Sequence, residues 1–220
     1  MRTVIFDLDG TLADTSGDLI AAANYCFDQM PFEARLDPIN DAGTALRGGK
    51  AMLKLGLERA GQYSAEQVEE WYPELLKAYG NALDVHTVIY PGAMAAIDAL
   101  KSNGIRVGIC TNKPEGLAQT LLERLGVRDV FGSLIGADTL ATRKPDAAPY
   151  IAAVEQAGGV VGASCLIGDT ITDRNTAKAA GVPCVLVGFG PSGGDMAALE
   201  PEAIIDRFDE LPGVVQRLLG

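Results

Sequence analysis

The chain has 220 residues, of which 48% are hydrophobic and 21% are charged. This composition is too apolar for a disordered tail, and the length suits one larger domain or one domain that carries an insertion. Asp and Glu number 29 against 18 Lys and Arg, which gives a formal net charge of −11. This excess of negative charge argues against nucleic acid and membranes as partners, although a local positive pocket is compatible with a small anionic substrate.

The four cysteines, Cys26, Cys110, Cys165 and Cys184, are scattered without a CxxC pair. Their spacing resembles neither a zinc site nor a disulfide framework, so buried thiols are expected. The N-terminal segment MRTVIFDLDG reaches acidic residues after only a few apolar ones, which indicates neither a signal peptide nor a membrane span. A cytoplasmic location is therefore the simplest expectation.

Short apolar segments recur along the chain and predict the strands of a parallel sheet. The first, Thr3–Phe6, stops abruptly at Asp7, as a buried strand does at the edge of a sheet. Helical patterns separate the later segments, and this alternation is typical of a doubly wound α/β fold. The later strands are predicted over 105–110, 134–135, 165–167 and 183–187, and the helices over 92–101, 114–125, 148–157 and 173–180.

Residues 15–83 interrupt this alternation with helical patterns and no convincing strand. Amphipathic helices are predicted over 18–30 and 49–60. We therefore predict an inserted α-helical cap domain over 15–83 and an α/β core made of 1–14 and 84–220. The cap is expected to cover the carboxyl ends of the sheet.

A third helix of the insertion is predicted to begin at Ser64. Gln67 lies three residues later, where it can complete a capping box. Pro73 is expected to kink or divide this helix, because proline lacks the backbone N–H that a helix interior needs.

Polar residues that follow the predicted strands are the candidates for chemistry, since open parallel sheets bind ligands beyond the carboxyl ends of their strands. Carboxylates, a hydroxyl and a lysine at one such edge would form a site for metal and phosphate. The candidates are Asp7 and Asp9 after the first strand, Thr111 and Asn112 after the second, Asp169 after a later one, and Lys144 from a loop between.

This mixture of residue types suits phosphoryl transfer with Mg²⁺, which prefers hard oxygen ligands. A carboxylate such as Asp7 can attack phosphorus and form an aspartyl phosphate, which water then hydrolyses. Asp9 is within reach to protonate the leaving oxygen and later to deprotonate that water. Thr111, Asn112 and Lys144 would balance the charge on the phosphoryl oxygens.

Four short motifs resemble those of the haloacid dehalogenase-like superfamily, in the same order. Residues 7–11, Asp-Leu-Asp-Gly-Thr, resemble the first motif, and Thr111-Asn112 resembles the second. Lys144-Pro145 is similar to the third motif, and residues 168–173 are similar to the fourth. The resemblance covers nearly the whole chain and implies a Rossmann-like core with an inserted helical cap.

The resemblance also implies roles for individual residues. Asp7 would be the nucleophile and Asp9 the acid/base, with Lys144 supporting catalysis. Phosphate binding would fall to Gly10, Thr111 and Asn112. The implied Mg²⁺ ligands are Asp7, the backbone carbonyl of Asp9, and Asp169, with Asp173 as a further ligand or a partner of the ligands.

Within the superfamily the chain is similar to phosphoglycolate phosphatases at residues 90–92, 110–114 and 143–146. The resemblance implies hydrolysis of a small phosphorylated metabolite, and 2-phosphoglycolate, which yields glycolate and phosphate, is the expected substrate. In the cap, Arg47 and Lys50 are expected to meet the substrate carboxylate. The oligomeric state stays open.

Four other interpretations stay open at this point. A sugar-phosphate phosphatase or a β-phosphoglucomutase-like enzyme would use the same motifs, the latter returning the phosphoryl group to a sugar. A receiver-like domain would use Asp7 as a lasting phosphoacceptor, without turnover. Gly188, Gly190 and Gly193 match a GxGxxG pattern, which is a weak indication of nucleotide binding because the strand before it comes late in the chain.

Overall fold

Parallel strands form the main sheet in the computed structural model of the chain, which describes residues 1–191 and 195–220. The strands are β1 (Thr3–Phe6), β2 (Ala13–Asp14), β3 (Val88–Ile89), β4 (Arg106–Cys110), β5 (Leu134–Ile135), β6 (Ser164–Gly168), β7 (Cys184–Val187) and β8 (Ala203–Ile205). In the described ranges the main sheet has six strands in the order β5-β4-β1-β6-β7-β8, and β2 pairs with β3. The predicted doubly wound α/β fold is confirmed.

The chain divides into two compact units. The first consists of Met1–Ala13 and Ile89–Gly220, and the second of Asp14–Val88. Helices of the first unit are α5 (Ala93–Ser102), α6 (Glu115–Arg124), α7 (Ala147–Gln156), α8 (Ile171–Ala180) and α9 (Leu211–Leu219), and those of the second are α1 (Ser16–Phe27), α2 (Ala42–Ala45), α3 (Gly49–Arg59) and α4 (Ala65–Asn81). Within the described ranges, none of the helices combines the length and hydropathy that a membrane crossing needs.

The central strand β1 is buried along its whole length because helices cover both faces of the sheet. Successive side chains of a strand point to opposite faces, so Ile5 joins one core cluster with Tyr150 of α7 and Ala177 of α8, while Val4 and Phe6 point to the other face. The cysteines are buried free thiols, as expected.

Parallel pairing brings the ends of three neighbouring strands to one level. Phe6 pairs with Ile109 of β4 and with Ile167 of β6. The backbone N–H of Asp7 continues this ladder, donating to the Ile167 carbonyl at 2.8 Å. The residues that follow β1, β4 and β6 therefore share one edge of the sheet.

In the loop after β7, packing against a neighbouring loop accounts for one glycine of the GxGxxG pattern, so this glycine does not indicate a nucleotide site. A Cβ atom on Gly190 would lie 3.0 Å from the Gly10 carbonyl oxygen, so glycine permits the close approach of two loops. Gly193, the last glycine of the GxGxxG pattern, lies outside the described residues.

In the second unit, α4 runs unbroken through Pro73, so of the two expected effects, a kink or a division, the division is wrong. Proline in a helix interior costs about 3 kcal/mol. Burial of Leu75 and Tyr79 against the neighbouring helices supplies the compensating stabilisation. The Ser64 hydroxyl accepts from Gln67 N at 3.1 Å, but Gln67 Oε1 has no hydrogen-bond partner among the described residues, so only half of the expected capping box forms.

The buried carboxylate of Asp18 binds the C-terminal segment of the second unit through hydrogen bonds. It accepts hydrogen bonds from the backbone N–H groups of His86 and Thr87, at 2.9 and 2.8 Å, and from the Thr87 hydroxyl at 2.7 Å. A Cβ atom on Gly17 would lie 2.8 Å from His86 Cβ, so glycine lets helix α1 approach this segment. The only histidine, His86, therefore lies in a segment that packs against α1 and is held there by Asp18.

We predict that Asp18→Ala lowers the free energy of unfolding by on the order of 3 kcal/mol, because it leaves buried donors without an acceptor. Urea denaturation followed by circular dichroism measures the change. Glu70→Ala, which removes an exposed carboxylate from α4 of the same unit, is the matched control and should change the midpoint little. Equal effects of the two substitutions would contradict the structural role of Asp18.

Candidate active site

The first two candidate carboxylates lie on the turn that follows β1. Leu8 O accepts backbone hydrogen bonds from Leu12 at 3.0 Å and from Ala13 at 3.1 Å, which closes the turn. Gly10 adopts φ 81°, a left-handed conformation that glycine adopts without strain. Asp7 is buried where the sheet ends, and Asp9 follows on the turn.

Lys144 connects two of the candidate carboxylates. Its Nζ atom lies 2.6 Å from Asp173 Oδ1 and 2.9 Å from Asp7 Oδ1, and its side chain is only 2% exposed. The contact with Asp173 is a hydrogen bond, whereas Asp7 Oδ1 is close to the ammonium but has no aligned hydrogen-bond donor in the described structure. Asp7 Oδ1 is therefore a buried acceptor that can take another cation.

Asp173 owes its position to the first turn of α8. Its Oδ2 atom accepts from the Thr170 backbone N–H and from the Thr170 hydroxyl, at 3.1 and 2.6 Å, while Asp173 N donates back to that hydroxyl. This reciprocal arrangement is a complete capping box. One oxygen of the Asp173 carboxylate thus caps the N-terminus of α8, and the other accepts a hydrogen bond from Lys144.

Asp7, Asp169 and Asp173 form a buried acidic cluster whose nearest carboxylate oxygens all lie within 4.8 Å of one another. The Thr11 hydroxyl donates to Asp169 Oδ1 at 3.0 Å. When the three carboxylates are ionised, their three negative charges and the single positive charge of Lys144 leave a surplus of two. The cluster suits a divalent cation in both charge and ligand type, because such ions prefer carboxylate oxygens.

The second predicted motif is fixed by hydrogen bonds to its neighbours. Thr111 is buried, and its backbone N–H donates to Ile135 O at 2.9 Å. Asn112 Nδ2 donates to the Lys144 backbone carbonyl at 3.0 Å, which ties this motif to the loop that carries the lysine. The structure therefore brings Thr111, Asn112 and Lys144 to the same edge as Asp7.

Lys113 belongs to this edge as well, although the sequence did not single it out. Its Nζ atom lies 2.7 Å from Asp9 Oδ1, and its side chain is 3% exposed. The available signal was its position directly after Thr111-Asn112, where a buried side chain is expected to join the site. Lysine is usually exposed, so composition and periodicity gave no reason to select it.

The two cap residues expected to bind substrate lie in the second unit. Arg47 and Lys50 are both exposed. Lys50 Nζ lies 2.6 Å from Glu69 Oε1 and 5.0 Å from the centre of the Tyr72 ring. Their predicted contact with a substrate carboxylate stays a prediction.

Burial and charge shift the pKa values at the centre of the site. Burial raises the pKa of Asp7 from its ordinary value of 3.8 to about 6; Lys144 opposes this change, and the carboxylate of Asp173 adds to it. Burial alone would lower the pKa of Lys144, but the carboxylates of Asp173 and Asp7 raise it above the ordinary value. Lys144 therefore carries its positive charge at neutral pH, whereas the pKa of Asp7 without a bound cation is about 6.

The comparisons with known proteins agree with this geometry. Residues 1–181 match the model of the haloacid dehalogenase-like hydrolase family, so the chain belongs to that family and is a hydrolase. The resemblance drawn from the motifs is confirmed.

Individual relatives match this chain over nearly its whole length. A phosphoglycolate phosphatase of Rhodospirillum rubrum is 39% identical over 96% of this chain and 89% of its own length. Another of Agrobacterium fabrum is 37% identical over 98% of this chain and 93% of its own length. A solved structure from Haemophilus somnus, named a predicted phosphoglycolate phosphatase, shares the fold with a TM-score of 0.86 at 23% identity over 98% of each chain.

The raised pKa of Asp7 predicts how stability depends on pH in the presence of a chelator. The folded protein holds the Asp7 proton more tightly than the unfolded chain does, so this group favours folding below pH 4 and loses that contribution as pH rises to about 6. Asp7→Asn should therefore gain stability relative to wild type across this range, by on the order of 3 kcal/mol. Urea unfolding of both proteins at several pH values measures the difference, and a difference independent of pH would contradict the shift.

Proposed function

We propose that the chain is a Mg²⁺-dependent phosphatase whose substrate is 2-phosphoglycolate, which it hydrolyses to glycolate and phosphate. The observation that carries this proposal is the presence of two carboxylates at the end of β1. Asp7 is buried beside Lys144, and Asp9 lies on the turn that follows. The relatives named phosphoglycolate phosphatase support the choice of substrate, since they match nearly the full chain at 39% and 37% identity.

In the proposed reaction a carboxylate oxygen of Asp7 attacks phosphorus, and the bond from phosphorus to the ester oxygen breaks. Asp9 gives its proton to that oxygen, so glycolate leaves as the alcohol. Ionised Asp9 then takes a proton from a water molecule as the water attacks phosphorus, which releases phosphate and restores the Asp7 carboxylate. A residue that both gives and takes a proton is what turnover requires, in contrast to a lasting phosphoacceptor.

Lys144, Thr111 and Asn112 are proposed to meet the phosphoryl oxygens. Charge develops on these oxygens during transfer, and preorganised donors stabilise it without moving. Because Lys144 is buried and held by Asp173, its ammonium is already in place before a substrate arrives.

The proposed ligands of Mg²⁺ are Asp7, Asp169, Asp173 and the backbone carbonyl of Asp9. The surplus charge of the acidic cluster supports this assignment, as does Asp7 Oδ1, a buried acceptor with no aligned hydrogen-bond donor among the described residues. When bound, Mg²⁺ supplies positive charge that lets a carboxylate approach an anionic phosphate.

Purified protein incubated with 2-phosphoglycolate and Mg²⁺ should release inorganic phosphate, and a chelator should abolish the release. Asp7→Asn removes the nucleophile and should lower kcat by at least about a thousandfold while the fold is retained. Asp98→Asn, on the exposed surface of α5, is the matched control and should retain full activity.

A panel of phosphate esters, including β-glucose 1-phosphate with analysis for glucose 6-phosphate, tests the alternatives in the same assay. Activity confined to sugar phosphates would refute 2-phosphoglycolate as the substrate. Turnover that survives Asp7→Asn would refute the nucleophile.

Mg²⁺ alone should raise the melting temperature of the protein, and by more at pH 7 than at pH 5, because carboxylates bind the ion in their deprotonated form. Asp169→Asn should abolish most of this increase, whereas Asp98→Asn should leave it unchanged. Differential scanning fluorimetry without substrate measures both effects. An undiminished increase in the Asp169 variant would contradict the proposed ligand set.

A further inference from the structure

The site contains two buried lysines, and they contact different carboxylates. Lys144 contacts Asp7 and Asp173, and Lys113 contacts Asp9. Lys113 Nζ lies 2.7 Å from Asp9 Oδ1, which is the length of a charge-assisted hydrogen bond. Asp9 is thus paired with a buried cation.

The backbone of Lys113 is fixed on both sides. Its N–H donates to the Thr111 hydroxyl at 3.1 Å, and its carbonyl accepts from Ala137 N at 2.9 Å. Pro114 follows directly and restricts the backbone further. Because both the backbone and the buried side chain are constrained, the Lys113 ammonium is held in a fixed position beside Asp9.

Stability alone does not account for a buried lysine at this position. Removing a lysine from water costs free energy that its pairing with a carboxylate often only balances, and apolar replacements of buried ion pairs are frequently neutral. The pair with Asp9 involves the residue that handles protons in the proposed reaction, which suggests a chemical reason.

We infer that Lys113 is a positioning residue for Asp9, an inference that rests on the proposed phosphatase function. Its ammonium donates to Oδ1, so in the acid form of Asp9 the proton resides on Oδ2. That proton then passes to the ester oxygen as the phosphorus–oxygen bond breaks, and Oδ2 later takes a proton from the attacking water. Lys113 fixes which oxygen of Asp9 carries the proton and where that oxygen lies.

This role predicts a dependence on the leaving group. The glycolate oxygen needs a proton to leave, whereas 4-nitrophenolate leaves without one. Lys113→Met should therefore lower kcat/KM for 2-phosphoglycolate by about 10- to 100-fold, and for 4-nitrophenyl phosphate by less than about threefold. Lys113→Arg, which keeps a charged donor, should recover most of the loss. Lys178→Met removes an exposed lysine from α8 and is the matched control.

Steady-state kinetics of these variants on both esters, with melting temperatures to monitor folding, test the inference. Lys113→Gln keeps a neutral donor to Asp9 and should give an intermediate loss on 2-phosphoglycolate; it replaces the methionine variant if that protein does not fold. Equal losses on both esters would overturn the inference in favour of phosphate binding by Lys113, and no loss on either would overturn it outright. Wild-type protein inactive on every ester would instead refute the phosphatase proposal itself, and the inference with it.

Discussion

The Lys144 ammonium lies between two buried carboxylates, 2.6 Å from Asp173 and 2.9 Å from Asp7. Each of these charges would be costly to bury alone, and their positions depend on one another. Asp173 also closes the first turn of α8, so the ion pairs connect the lysine loop to a helix and, through Asp7, to the central strand. Lys144 nevertheless leaves the acidic cluster with a negative surplus, which makes the same arrangement receptive to a cation.

The sheet makes this geometry possible. Since β1 pairs on both sides, the residues after β1, β4 and β6 meet at one level, and carboxylates distant in sequence come within 4.8 Å. Rigid strands hold the nucleophile candidate in place, and hydrogen bonds such as that from Asn112 to the Lys144 carbonyl fix the intervening loops. Preorganisation of this kind is how hydrolases stabilise charge that develops during reaction.

Much of this could be predicted from sequence, because strand ends in a parallel sheet are recognisable and their polar residues converge. Asp7, Thr111 and Asp169 followed from that rule, and the family comparison agrees with the motifs that contain them. Lys113 was not selected, because its position after Thr111-Asn112 was the only signal and a lysine's burial depends on tertiary packing. Pro73 does not divide α4, because the packing of the helix's buried face outweighs the local cost of one proline. Thr170 is a short-range partner of Asp173 that a search for capping residues would have found.

The proposed reaction requires that Asp7 becomes phosphorylated during turnover. Protein mixed with 2-phosphoglycolate and Mg²⁺ and quenched in acid within milliseconds should yield a peptide that carries one phosphoryl group on Asp7 by mass spectrometry. The same peptide from the Asp7→Asn variant should carry none. Phosphate release with no covalent phosphoryl group, or with that group on a different residue, would contradict nucleophilic attack by Asp7.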